Sequence, residues 1–114
     1  MVVYETAPAA REAQHCCPPR RLEKADRDRA AAVSATAKAL ADPVRVEILQ
    51  LLRKAEGQVC QCDLQPLFGI SQPTLSHHLK KLHAAGLIDV ERRGKWAYYA
   101  IDEDALGVLR AWVS

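Results

Sequence analysis

The sequence has no long apolar run. No stretch of the 114-residue chain approaches the ~18 consecutive apolar residues that a membrane-spanning helix needs, and the N-terminus lacks an apolar signal core. These two absences predict a cytoplasmic protein with no membrane partner. Because cysteine thiols stay reduced in the cytoplasm, structural disulfides are not expected.

The sequence also lacks the signatures of enzymes that use a cysteine thiolate. A thiol-based reductase or phosphatase needs a nucleophilic cysteine in a phosphate-binding loop that an arginine closes six positions later. The positions six residues after the four cysteines hold Leu22, Glu23, Pro66 and Phe68. A glycine-rich phosphate loop and a catalytic carboxylate pair are missing too. We therefore predict that the protein is not an enzyme.

The net charge of +2 gives little indication of a polyanionic partner, but its distribution is informative. Residues 71–95 carry five Lys/Arg against two Asp/Glu, whereas residues 96–114 carry one against three. A positive excess concentrated in one segment is typical of proteins that bind nucleic acid.

That segment begins with a predicted amphipathic helix, Ser71–Leu82. Its apolar stripe has the spacing i, i+4 and i+7 and consists of Leu75, Leu79 and Leu82. Ser71 or Gln72 can cap its start, and Gly86 is placed to end it. The opposite face has no carboxylate and carries Thr74, His77, Lys80 and Lys81, with Ser76 at its edge. Such a face can form hydrogen bonds with base edges in DNA.

The following residues predict a β-hairpin with a cationic tip. Ile88 and Val90 alternate with acidic residues, and a β-prone run resumes at Trp96. The basic segment Arg92–Lys95 contains a glycine and separates the two runs. A recognition helix followed by such a wing predicts a mainly α fold with a small antiparallel β-hairpin, the winged helix-turn-helix.

The rest of the chain predicts a scaffold for this unit. Residues 1–22 include a cysteine pair followed by two prolines, which a helix interior cannot accommodate, and are expected to form an extended, mobile arm. Residues 23–114 are expected to form the DNA-binding and dimerisation domain. Its first helix, from about Glu23 to Ala41, has a narrow face of Ala30, Val33, Ala37 and Leu40. Asp42 is expected to cap a second helix, whose buried side consists of Val44, Ile48, Leu51 and Leu52.

Two further helices are predicted. A short helix begins at Gln58 and ends near Gly69, where it precedes the recognition helix. The last helix starts with the carboxylates of Asp102–Asp104, and its face of Ala105, Leu109 and Trp112 would be poorly buried in a lone domain. The first and last helices are therefore the candidate interface of a homodimer, which would place two recognition helices on a near-palindromic site.

All four cysteines occur in close pairs, Cys16-Cys17 and Cys60-x-Cys62. Small buried hydrophobic residues or redox-sensing thiols are alternatives, but soft-metal or metalloid binding by thiolates fits these pairs better. If Cys60 caps the short helix, the positive helix end would lower the pKa of nearby thiols. Within a helix the two residues would lie about 200° apart, which favours one of them, with Cys60 preferred, completing a site with the arm.

Three motifs resemble the ArsR/SmtB family of metal-responsive repressors. They are Ala39–Arg45 (Ala-Leu-Ala-Asp-Pro-Val-Arg), Cys60–Leu64 (Cys-Gln-Cys-Asp-Leu) and Ser71–Leu82 with its wing, and the likeness covers roughly residues 30–113. The resemblance implies a dimeric repressor that metal ions or metalloids release from operator DNA. In this family Gln72, Ser76 and His77 match positions that contact DNA. The family's interfacial zinc site needs histidines on the last helix, and none follows His83.

The resemblance also indicates the class of inducer. Arsenite-sensing relatives often carry a third cysteine where this sequence has Gln65, so the arm pair Cys16-Cys17 would supply the missing sulfur atoms. We therefore predict As(III) or Sb(III) bound by thiolates, with a four-thiolate Cd(II) or Pb(II) site as the alternative. The candidate ligands are Cys16, Cys17, Cys60 and Cys62. The candidate DNA contacts are Gln72, Thr74, Ser76 and His77 at base edges, and Lys80, Lys81, Arg92, Arg93 and Lys95 at phosphates or in the minor groove.

Overall fold

The computed structural model of the chain describes residues 20–114. Its helices are α1 (Lys24–Ala39), α2 (Pro43–Ala55), α3 (Gln61–Phe68), α4 (Gln72–Ala84) and α5 (Gly107–Val113), with a 3-10 helix (Glu103–Leu106) directly before α5. Its strands are β1 (Val59–Cys60), β2 (Ile88–Arg93) and β3 (Trp96–Ile101). This mainly helical architecture with a small antiparallel sheet confirms the predicted fold class. No helix in this range has the length and apolarity needed to cross a membrane.

The sheet has three strands rather than the two of the predicted hairpin. Strand β3 lies in the middle, and β1 pairs with it antiparallel, with Val59 opposite Tyr99 and Cys60 opposite Tyr98. The prediction that a helix begins at Gln58 is therefore wrong, because this segment enters the sheet and α3 begins only at Gln61. A two-residue strand is too short to show the alternation by which strands are detected in a sequence.

The recognition helix α4 forms as predicted. Ser71 is its N-cap and its Oγ accepts a hydrogen bond from the Thr74 amide at 3.4 Å. The leucine stripe is confirmed, since Leu75, Leu79 and Leu82 are 0 to 1% exposed. Gly86 ends the helical segment with φ of +77°, a conformation that a residue with a side chain rarely adopts.

The packing of α1 and α2 differs in detail from the prediction. On α1 the buried positions are Val33, Thr36 and Ala39, whereas Ala30 and Ala37 are exposed. Thr36 can face the interior because its hydroxyl donates a hydrogen bond to the Ala32 carbonyl. On α2 the core positions are Ile48, Leu49 and Leu52, with Val44 and Leu51 only partly buried.

Carboxylates cap both α2 and the last helical segment. The Asp42 Oδ1 accepts from the Val44 amide at 2.8 Å, and this bond lowers the pKa of Asp42. The Asp102 Oδ1 accepts from the Asp104 amide at 3.0 Å. Helices α1 and α5 pack against each other, but Trp112 at the end of α5 is 58% exposed.

Candidate DNA interface and thiol pair

The outer face of α4 is open to solvent. Its exposed side chains are Gln72, Thr74, His77, Lys80 and Lys81, and Ser76 is half-buried. The leucines on the opposite face fix the helix to the core, so these polar groups are held at the surface by a rigid element. A helix presented in this way can enter the major groove of B-DNA.

His78 does not belong to this face. It is 9% exposed, and its Nδ1 lies 3.3 Å from Nη1 of Arg45. Arg45 also donates to the Ala39 carbonyl at 2.7 Å, which ties the end of α1 to α2 and α4. His78 is therefore a packing residue beneath the outer face of α4.

The wing contains a cluster centred on Arg93. Its Nε lies 3.1 Å from a Glu91 carboxylate oxygen, its Nη2 donates to Gln58 Oε1, and its guanidinium lies 4.1 Å from the ring centre of Tyr98. Gln58 in turn donates to Glu91 at 2.6 Å, and both donors lower the pKa of Glu91. In this conformation Arg93, proposed from the sequence as a DNA contact, is already paired within the wing.

The pairing of Arg93 leads to a prediction about Glu91. Glu91→Gln should strengthen DNA binding several-fold, because it removes a negative charge from the wing and frees a cation for a phosphate. The salt slope, which is the slope of log affinity against log salt concentration, should steepen by up to about 0.9 for each added phosphate contact. Fluorescence anisotropy over a salt series measures both quantities.

A matched control is Glu103→Gln. Glu103 also pairs with an arginine, Arg53, at 3.1 Å, but lies outside the wing. This substitution should leave DNA affinity unchanged. Equal affinity of the Glu91→Gln variant and the wild type would show that the Arg93 pairing does not limit DNA binding.

A groove of about 570 Å³ lies between α3, α4 and the wing. It brings together five of the predicted DNA contacts, which are Gln72, Ser76, Lys80, Arg92 and Lys95. Thr74, His77, Lys81 and Arg93 do not line it. Trp96 also lines the groove and is 47% exposed, although its sequence context did not predict a place in the interface. The Nζ atom of Lys95 lies 5.5 Å from the centre of the Trp96 ring. The groove wall also contains Cys62, so a candidate sensor thiol adjoins the candidate DNA face.

Cys60 and Cys62 converge, contrary to the angular argument from the sequence. Cys60 is the extended N-cap of α3 (φ −70°, ψ 142°), and the Cys62 thiol donates to the Cys60 sulfur at 2.7 Å. The angle of about 200° applies only when both residues are helical, and Cys60 ends strand β1 instead. Cys60 is 8% exposed and Cys62 is exposed, so Cys62 is the more accessible thiol.

The expected lowering of thiol pKa is wrong for Cys62. Its pKa is raised, chiefly by the hydrogen bond to Cys60, with desolvation and the negative charges of Cys60 and Asp63 adding to the shift. Cys60 occupies the N-cap position but its side chain does not cap α3.

The second cysteine pair, Cys16-Cys17, lies outside the described residues. Within residues 20–114, His, Cys, Asp and Glu side chains form no group of three or more that could hold a metal ion. Gln65, where the family resemblance implied a third cysteine in arsenite-sensing relatives, donates from its Nε2 to the Ile70 carbonyl at 2.5 Å.

Comparison with known proteins gives a consistent result. Residues 42–90 match the family described as bacterial regulatory protein, arsR family. An arsenical resistance operon repressor of Bacillus subtilis is 47% identical over 73 residues, which cover 63% of this chain and 69% of that protein. A cadmium resistance transcriptional regulatory protein CadC homolog of Staphylococcus aureus is 39% identical over 67 residues, covering 59% of this chain and 54% of that protein.

A solved structure matches the fold as well. The homodimeric winged helix-turn-helix DNA-binding domain of a possible ArsR-family regulator from Mycobacterium bovis superimposes with a TM-score of 0.60. It is 30% identical in sequence, and the match covers 86% of this chain and 88% of that one.

Proposed function

The chain belongs to the arsR family of bacterial regulatory proteins and is a DNA-binding transcriptional repressor rather than an enzyme, and we propose that As(III) or Sb(III), bound by cysteine thiolates, releases it from operator DNA. The observation that carries this proposal is the groove between α4 and the wing. Five candidate DNA contacts line it, and its wall contains the exposed Cys62. A ligand bound at this cysteine therefore lies next to the DNA-binding surface.

The DNA side of the proposal rests on exposed polar and cationic side chains. Gln72, Thr74, Ser76 and His77 would contact base edges from α4. Phosphates or the minor groove would be contacted by Lys80, Lys81, Arg92, Arg93 and Lys95. Phosphate contacts supply most of the affinity and little of the sequence preference. The repressor would act in the cytoplasm, where its DNA lies and where thiols stay reduced.

A homodimer is proposed from the apolar surface on and beside α1 and α5. Leu22, Val108, Trp112 and Val113 are 40 to 69% exposed and lie on or beside the packed helices α1 and α5. Burying these side chains against a second copy would remove apolar area from water. It would also place two α4 helices for recognition of two half-sites.

The ligand side rests on the convergence of Cys60 and Cys62. Soft thiolate sulfur atoms suit As(III), Sb(III), Cd(II) and Pb(II). Two sulfur atoms already lie 2.7 Å apart. A three-sulfur set would combine both of them with one arm cysteine, Cys16 or Cys17, or one of them with both arm cysteines. Binding of arsenous acid balances as As(OH)3 plus three thiols giving As(SR)3 plus three waters. Each thiol proton combines with a hydroxide of arsenous acid and leaves as water.

Release of a fluorescent DNA duplex tests this function directly. The duplex is first selected by the protein from a random-sequence pool, and As(III), Sb(III), Cd(II), Pb(II), Zn(II) and hydrogen peroxide are then added separately. As(III) and Sb(III) should weaken binding about 5–150-fold, the usual range of allosteric coupling. Release only by Cd(II) and Pb(II), or only by peroxide, would replace the proposed inducer with that alternative.

Proton release distinguishes the ions by a second measurement. Arsenous acid exchanges hydroxide for thiolate without releasing a proton, whereas a four-thiolate Cd(II) site releases four thiol protons. The arsenite affinity should therefore change little between pH 6 and 8, and the Cd(II) affinity should rise steeply over that range. Titration calorimetry in buffers of different ionisation enthalpy counts the protons. A steep rise of arsenite affinity with pH would contradict the proposed exchange.

A further inference from the structure

Gln61 lies between the two cysteines and contacts both halves of the DNA-binding unit. It is the first residue of α3, and its side chain is half-buried. Its Nε2 donates to the Ser76 hydroxyl on α4 at 3.0 Å. Its Oε1 accepts from the Tyr99 hydroxyl on β3 at 3.3 Å. One side chain thus connects the thiol pair, the recognition helix and the wing.

The two contacts of Gln61 differ in rigidity. Tyr99 is 7% exposed and lies on the central strand, where its backbone is paired with Val59 on one side and Val90 on the other. Its hydroxyl is therefore a fixed point of the sheet. Ser76 lies on the groove face of α4, beside Gln72 and Lys80. The hydrogen bond from Gln61 to Ser76 therefore reaches the surface that would contact DNA.

A ligand bound at the thiols would act on Gln61 through the backbone that joins the three residues. Cys60 is extended, Gln61 is the first helical residue and Cys62 follows within the first turn. A ligand held by either sulfur constrains the peptide units on one or both sides of Gln61. A change in these units would reorient the Gln61 side chain and alter its hydrogen bond to Ser76.

We propose that Gln61 is the positioning residue through which thiolate ligation at Cys60 or Cys62 alters the placement of α4. This role rests on the proposed function and identifies the contact that carries its regulation. Any such coupling requires that the ligand bind more tightly to the DNA-free conformation than to the DNA-bound one. In this proposal the Gln61 hydrogen bonds differ between the two conformations, because they join the thiol pair to Ser76, a candidate base contact.

The substitution Gln61→Met tests this role. Methionine has a similar length and flexibility but cannot form either hydrogen bond. The full-length protein and a DNA duplex selected from a random pool are titrated against each other with and without sodium arsenite. Arsenite binding is followed separately by the ultraviolet absorption of the arsenic–sulfur bonds. In wild type, arsenite should weaken DNA binding by about 5–150-fold.

In the Gln61→Met variant, arsenite should still bind with wild-type stoichiometry, but the ratio of the two DNA affinities should fall below about three-fold. A merely structural role would lower DNA affinity equally with and without arsenite, and would leave this ratio unchanged. Tyr99→Phe removes one of the two hydrogen bonds and should reduce the ratio as well. Gln50→Met, at an exposed position of α2, is the matched control and should keep the wild-type ratio.

The possible failures are distinguishable. A Gln61→Met variant that binds arsenite and is released as strongly as wild type overturns the role of Gln61 and leaves the proposed function intact. A wild-type protein that none of the tested ions releases overturns the proposed function, and the role of Gln61 with it.

Discussion

Cys62→Ser is expected to abolish the release of DNA by arsenite and to leave DNA affinity in the absence of arsenite unchanged. Cys62 is the exposed member of the converging pair, so its sulfur is the more accessible one to a ligand from solvent. Serine keeps the size of the side chain but supplies a hard oxygen in place of a soft sulfur ligand. An arsenite effect of about 5–150-fold in wild type should therefore disappear. Fluorescence anisotropy with and without arsenite measures the loss.

The other three cysteines define the rest of the site. Cys60→Ser distinguishes between two possible sets of arsenic-binding cysteines. A retained arsenite response indicates Cys62 with both arm cysteines, whereas a lost response indicates that Cys60 and Cys62 bind together. Cys16→Ser/Cys17→Ser removes the arm pair and should abolish release in either case. A normal arsenite response of this double variant would refute the proposed role of the arm, and sulfur counting by X-ray absorption checks each assignment.

Lys80→Ala/Lys95→Ala is expected to weaken DNA binding by about 100-fold or more at moderate salt. These two cations line the groove between α4 and the wing, and neither has a carboxylate of residues 20–114 within ion-pair distance. A homodimer would lose four phosphate contacts, so the slope of log affinity against log salt should flatten by about 3.6. Selected and random DNA should be affected about equally, because phosphates carry no sequence information.

Two further variants distinguish the loss of phosphate contacts in the groove from the loss of a charge elsewhere and from the loss of a base contact. Lys24→Ala removes a cation that pairs with Asp28 at 2.9 Å on α1, outside the groove, and should keep the wild-type salt slope. His77→Ala should reduce the preference for selected over random DNA and leave the slope almost unchanged. Each lost base contact is worth about 1–3 kcal/mol of discrimination. An unchanged salt slope in Lys80→Ala/Lys95→Ala would contradict the assignment of the groove as the DNA face.

The sequence predicted those parts of the fold that depend on local pattern. The Ser71 cap and the Leu75–Leu79–Leu82 stripe are properties of one helix, and the turn at Gly94, with φ of +60°, is a property of one hairpin. The exposed face of α4 followed from the same periodicity. Such features need no information from distant segments.

The arrangement of the candidate sensor could not be predicted in the same way. Cys60 is extended because β1 pairs with β3, a strand that lies much later in the chain. That pairing brings the two thiols together and raises the pKa of Cys62, where a helical start was expected to separate them and lower it. The contacts of Gln61 with Ser76 and Tyr99 likewise join three elements, and side chains that meet only in the folded protein leave no local signature.

The pairing of Cys60 with Tyr98 has a consequence for protein engineering. Cys60 belongs to β1, one edge of a sheet whose central strand is β3 of the wing. The start of the Cys-x-Cys segment and the wing are therefore a single structural module, although the recognition helix lies between them in sequence. A chimera that exchanges only residues 59–65 for those of a relative would set a foreign strand edge against the native Tyr98 and Tyr99. Transfer of ligand specificity between repressors of this kind therefore requires crossover points before Val59 and after Ile101, with the recognition face of α4 restored by separate substitutions.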